Sequence, residues 1–194
     1  MIKKMFTYFS RFPAKSGIET MAVNGTSQMT EYAEVLTAIS EQDDVRRIQG
    51  LDNYAYGQSF EELQARLDKC VGSFLFADYG EFQVNTDGRK SLEYTERIAV
   101  TVAIKVSDGA DAIERMIASD RTLAMLASIH AWMMTDVETG LIDWADRESL
   151  DMVEIVPFVA TELRSIGWTL MLNASSPDVL GSHALFRSFV RQNL

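Results

Sequence analysis

The chain reads as an α+β domain: an antiparallel sheet built from two β-hairpins, packed against one long central helix, with helices ahead of it. Three stretches predict this class. Residues 98–106 alternate between branched aliphatic and small or polar side chains, residues 112–134 change to a helical period, and residues 152–174 return to strand-like patterning.

The first hairpin begins in Phe74-Leu75-Phe76-Ala77-Asp78-Tyr79-Gly80-Glu81-Phe82-Gln83-Val84. A strand there points Phe74, Phe76, Asp78, Gly80, Phe82 and Val84 to one face, and Asp78 with Gly80 interrupts it in the manner of a bulge. Asn85-Thr86-Asp87-Gly88 supplies the reversal, because Asp-Gly tolerates the positive φ angles of a tight turn. The return strand then places Ile98, Val100, Val102, Ile104 and Val106 on one face. Burying five such side chains contributes several kcal/mol at about 25 cal/mol per Å², comparable with the net stability of a domain.

Ser107-Asp108-Gly109-Ala110-Asp111 ends the strand and offers an N-cap. Beyond it Ile113, Met116, Ile117, Leu123, Leu126, Ala127, His130 and Met134 fall near one helical stripe, interrupted only by the charge of Asp120. About twenty helical residues span about 30 Å, enough to roof the hairpin.

The chain divides into residues 1–28, 29–176 and 177–194. The first carries Phe6, Tyr8, Phe9 and Phe12, and Lys3, Lys4, Arg11 and Lys15 against Glu19 give its first 24 residues +3. Three readings are open for it: an arm that packs on a neighbouring subunit, a disordered tail, or a stretch upstream of the true start. Thr30 to Glu41 reads as a helix capped by Thr30 or Ser27, with Tyr32, Val35, Leu36 and Ile39 on its apolar side. Gln42 to Gly57 reads as an irregular connection broken by Gly50, Asn53 and Gly57. A further helix opens at Ser59 and buries Phe60, Leu63, Leu67 and Cys70 or Val71.

Past the central helix, Asp136, Glu138, Asp143, Asp146, Glu148, Asp151 and Glu154 face only Arg147, which reads as a solvated acidic connector without calcium-loop spacing. Trp144 within it is a packing anchor or an interface residue. Met152 to Val159, with Pro157 marking an edge or a bulge, and Trp168 to Ala174 form the second hairpin around a broad loop. Residues 182–194 place Leu185, Phe186, Phe189 and Val190 at helical spacing, a sticky surface that should dock on this chain or a partner.

The 194 residues carry a net charge of −10, which disfavours nucleic acid and anionic membrane as partners. No run is long and apolar enough to span a bilayer. Cys70 is the sole cysteine and reads as a buried thiol in a reducing compartment. The two histidines, His130 on the helix and His183 near the end, have no partners at metal-ligand or catalytic spacing. Asp78 and Glu81 are three apart and fall on opposite faces of a regular strand. The ten methionines suit an adaptable core or a deformable contact surface. An enzyme, a cofactor site and a metal site are therefore not expected.

The order of elements, together with Phe74-Leu75-Phe76-Ala77-Asp78-Tyr79-Gly80-Glu81-Phe82 and Gly167-Trp168-Thr169-Leu170-Met171-Leu172, resembles the tail terminator and tail completion proteins of long-tailed phages and prophages. The resemblance covers about residues 30–176. It implies a small non-catalytic protein that self-associates into a ring on the tail tube and offers a surface to head-completion proteins. It also implies a cytoplasmic protein during assembly that ends in the virion tail. The residues before Met29 and after Pro177 depart from the compact family pattern. On this reading the hairpin tip, with Asn85, Asp87, Arg89 and Lys90, and the terminal Phe186 and Phe189 are candidate subunit contacts. The alternative is a small-molecule-binding α+β domain, monomeric or dimeric, with its pocket between sheet and helix.

Overall fold

Strict alternation in residues 98–104 produces the strand on which the sheet is assembled. The computed structural model describes residues 1–23, 25–58, 64, 66–68, 70–80, 82–86 and 92–176. The strands are β1 (Asn53–Gly57), β2 (Ser73–Asp78), β3 (Phe82–Thr86), β4 (Leu92–Lys105), β5 (Glu154–Ala160) and β6 (Ser165–Ser176). The helices are α1 (Ile2–Phe9), α2 (Lys15–Met21), α3 (Thr30–Ser40), α4 (Ala112–Glu138) and α5 (Arg147–Asp151). The sheet order is β1-β2-β4-β6-β5, with β3 also paired to β4. The α+β class and the long helix packed on the sheet follow the expectation.

Both segments of the first hairpin pair antiparallel with β4, Asp78 opposite Ala99 and Phe82 opposite Glu96. Between these two pairings the first segment has one residue more than β4, a one-residue bulge. Gly80 carries it at φ 41°, where a Cβ would collide with the carbonyl oxygen of Arg97. The extra residue shifts the parity, so Phe82 and Val84 pair in phase with Ile98 while Phe74 and Phe76 do not. One face for all six residues, expected from an unbroken strand, is corrected on that ground.

The second hairpin is tighter than expected. Ala160 pairs with Ser165, leaving the four residues 161–164 as the turn, with Arg164 at φ 49°. β5 is an edge strand that accommodates Pro157, as a proline requires. Pairing of β5 stops at Glu154 opposite Met171, whereas β6 follows β4 to Ser176 opposite Tyr94. On the other side β2 ends opposite Ala99. Residues 82–86, 92–97 and 172–176 therefore form a three-stranded tongue that runs on past β2 and β5.

Gln42 to Gly57 is not wholly irregular: residues 53–57 are β1, paired parallel with β2. Its polar flanks serve the pairing, since the Asn53 side-chain amide donates to the carbonyls of Val71 and Ser73 at 2.8 and 2.9 Å.

The core lies between the sheet and α4. Leu75, Ile98, Val100, Val102 and Leu170 meet Leu126, Ile129 and Met133, all fully buried. Ile104 and Val106, at the strand's end, are half-buried. Phe74, Phe76, Ala103 and Ala160 form a second cluster on the opposite sheet face with Leu67, Cys70 and Leu163. The expected stripe of α4 is corrected in phase: Ala118, Thr122, Leu126, Ile129, Met133 and Asp136 are its buried residues, while Ile113, Met116 and Ile117 are exposed. Thr122 enters this face because its hydroxyl donates to the Ala118 carbonyl at 2.8 Å. At the helix start Asp111 accepts from the Glu114 amide, the expected cap.

The largest correction concerns residues 1–23, which pack into this chain's own core rather than standing off as a tail or an arm for a neighbouring subunit. Met5, Tyr8, Phe9 and Phe12 recur at helical spacing, and all four join the main core with Ile18 of α2. Trp144 closes on them, 5.8 Å from the Tyr8 ring and 5.9 Å from that of Phe9, so it is a packing anchor. The hydroxyls of Tyr54 and Tyr56 donate to the carbonyls of Phe6 and Ile2, tying β1 to α1. α3 forms where expected, but Met29 is its N-cap and makes no side-chain cap bond; Ser27 accepts from the Met29 amide instead. Residues 177–194, with their expected terminal helix, lie outside the described residues.

Candidate functional site

The polar chemistry of the fold is concentrated where α1, α3 and the end of α4 converge. Asp136, in the last turns of α4, is completely buried. Arg46 grips it with both ends of the carboxylate, Nη2 to Oδ1 at 2.7 Å and Nε to Oδ2 at 3.2 Å. The Tyr8 hydroxyl donates to Oδ2 at 2.9 Å. The Arg46 guanidinium also stacks 4.9 Å above the Trp132 ring. Burial, then the neighbouring carboxylate, push the Tyr8 phenol far above its ordinary range, and the bond to Asp136 raises Arg46. This cluster is saturated: it fastens α1 to α4 and has no reactive group to spare.

Next to it Arg11, one residue before the buried Phe12, is held differently. Its guanidinium carbon stands 5.9 Å from the centroid of the Tyr8 ring. Nε is buried without a hydrogen-bond acceptor. No ion pair reaches it among the described residues, although Arg46 and Arg47 both have theirs. A buried donor left without a partner costs about 1–3 kcal/mol.

Arg11 lines an open cleft of about 370 Å³ between α1, α3 and the loop after α4. Val35, Ala38, Leu141 and Trp144 make its apolar wall, and Lys3 and Lys4 stand at its edge. Both lysines are engaged, Lys3 with Glu34 at 3.0 Å and Lys4 with Asp143. A second cleft, of about 310 Å³, shares Thr7, Arg11 and Ala38 with the first. The interface between sheet and α4, where the alternative reading would put a ligand pocket, is filled by Leu126, Ile129 and Met133.

The expected contact residues are only partly described. Asn85 pairs with Glu93 in the tongue; Asp87, Arg89, Lys90, Phe186 and Phe189 lie outside the described residues, as do Glu81 and His183. His130 is a boundary residue whose Nε2 meets the Leu150 carbonyl at 2.9 Å. Cys70 is buried, which raises its thiol. Desolvation raises Asp78, whose Oδ1 accepts from the Gly80 amide at 2.8 Å across the bulge.

The acidic connector is corrected at one end. Asp136 belongs to the core, and Asp146 caps α5 by accepting from the Ser149 amide at 2.7 Å. Glu138 and Asp151 remain solvated and share Arg147. Among the described residues no group of His, Cys, Asp and Glu is arranged to hold a metal ion, and no helix is long and apolar enough to cross a membrane. Arg11 was missed as a site residue, though its surroundings were legible in the spacing of Met5, Tyr8, Phe9 and Phe12, which fixes the buried face of α1. No protein-family model matches the chain, and neither a curated protein nor a solved structure matches it.

Proposed function

We propose that this chain is a structural assembly protein of a phage or prophage tail, of the ring-forming terminator or completion type, acting by self-association and without catalysis. The reading rests on the tongue. β3 and the distal parts of β4 and β6 run on past β2 and β5, so this hairpin carries the sheet beyond its flanking strands, with Leu172 and Ala174 at its base still in the main core. Projecting hairpins are suited to contacts with unlike surfaces on a neighbour, and such contacts close into rings when the rotation permits. The edge strand β5 offers a second, different surface: Ile155 and Val159 are exposed on it, and Met152 just before it is 68% exposed. Ring closure joins the tongue of one subunit to such a face of the next, leaving the two ends of the ring for the tail tube and for head-completion proteins.

Sedimentation velocity over a hundredfold concentration range tests the proposal. The expected result is one discrete oligomer of several subunits, lost when Val159 is changed to Asp. A monomer that persists at the highest concentration overturns the ring.

A further inference from the structure

We propose that the cleft between α1, α3 and the loop after α4 is a binding site for a small monocarboxylate with an apolar body, anchored by Arg11. This goes beyond the assembly reading and does not depend on it.

Arg11 is a permanent cation that lines the cleft and has no ion pair among the described residues, in a protein of net charge −10 whose neighbouring Arg46 and Arg47 are both paired. A guanidinium fork matches the two oxygens of a carboxylate or phosphate, and such charge-assisted bonds are stronger than neutral ones. The rest of the lining chooses between the two anions. Val35, Ala38, Leu141 and Trp144 give the ligand an apolar wall, which a carboxylate attached to a hydrocarbon or aromatic body fills and inorganic phosphate does not. Glu34 and Asp143 at the edge neutralise Lys3 and Lys4, so a polyanion meets two carboxylates beside only one uncommitted cation. A volume of about 370 Å³ suits a small molecule. Tyr8 holds the site in shape, since its hydroxyl is fixed by Asp136 while its ring carries Arg11.

The test titrates the full chain with phenylacetate, its neutral analogue phenylacetamide and inorganic phosphate, following the Arg11 Nε–H and Trp144 indole N–H resonances. Phenylacetate should bind saturably and at least about tenfold tighter than either of the others, the loss expected when a charge-assisted hydrogen bond is removed. Arg11→Met should abolish the difference between acid and amide. Leu141→Glu places a like charge at the mouth of the cleft on a side chain that is 44% exposed, and should weaken phenylacetate without altering the fold. Equal binding of acid and amide, tighter binding of phosphate, signals that rise without saturation, or full phenylacetate affinity in either folded variant overturns the proposal.

Discussion

Arg11, in the turn after α1, and Arg46, in the loop after α3, both stack on an aromatic ring, yet one is saturated and the other is not. Arg46 spends its fork on a carboxylate with no solvent exposure and shares it with the Tyr8 hydroxyl. Arg11 stacks on the ring of that tyrosine, its buried Nε without an acceptor among the described residues. The first arrangement is how a fold stabilises a buried charge, through multiple short bonds and a stacked ring. The second leaves a guanidinium without a counter-ion at the wall of a cleft, where a carboxylate would supply one. The comparison separates a group that holds the structure together from one positioned to receive something.

The contrast can be broken from the carboxylate side, at Asp136. Asp136→Ala removes the shared acceptor, and urea unfolding should show a loss of about 2–4 kcal/mol, somewhat below the cost of a fully buried pair because Arg46 keeps 20% exposure. Tyr8→Phe should cost less, about 1.5–3 kcal/mol for a hydrogen bond to a charged group. It also has a pH signature. The folded phenol is raised above its unfolded value near 10, so its contribution is intact below about pH 10 and is lost as the pH climbs beyond it. The alkaline decline in stability should therefore be shallower in Tyr8→Phe than in the parent protein. At the edge of the cleft the effect should be smallest. Lys3→Gln breaks a pair whose partners are 51% and 61% exposed, and should change stability by about 0–1 kcal/mol, vanishing in high salt.

Much of the sheet was legible because its signal is local. Alternation in residues 98–102 specified the buried face of β4, and Pro157 marked the edge. The bulge at Gly80 was visible as an interruption, though not its effect on parity, which depends on the partner strand. Other elements were hidden for physical reasons. α4 has apolar residues on several sides, so an apolar stripe does not define its phase. Its true buried face includes Asp136, whose partner Arg46 is 90 residues distant in the chain. β1 is five residues long and bounded by Asn53 and Gly57, so its tyrosines read as part of a loop. In α1 the helical spacing of Met5, Tyr8, Phe9 and Phe12 was present, but the lysines beside it suggested an appendage. Arg11 carries no motif at all, because an unpaired cation is a property of what surrounds it.

The most direct measurement is a pair of unfolding curves, for Arg46→Met and Arg11→Met, under identical conditions. Arg46→Met leaves the carboxylate of Asp136 buried without its counter-ion and should lose about 3–5 kcal/mol, while Arg11→Met should be unchanged or up to about 1 kcal/mol more stable. Equal losses in the two variants would contradict the distinction between a saturated and an unsaturated arginine.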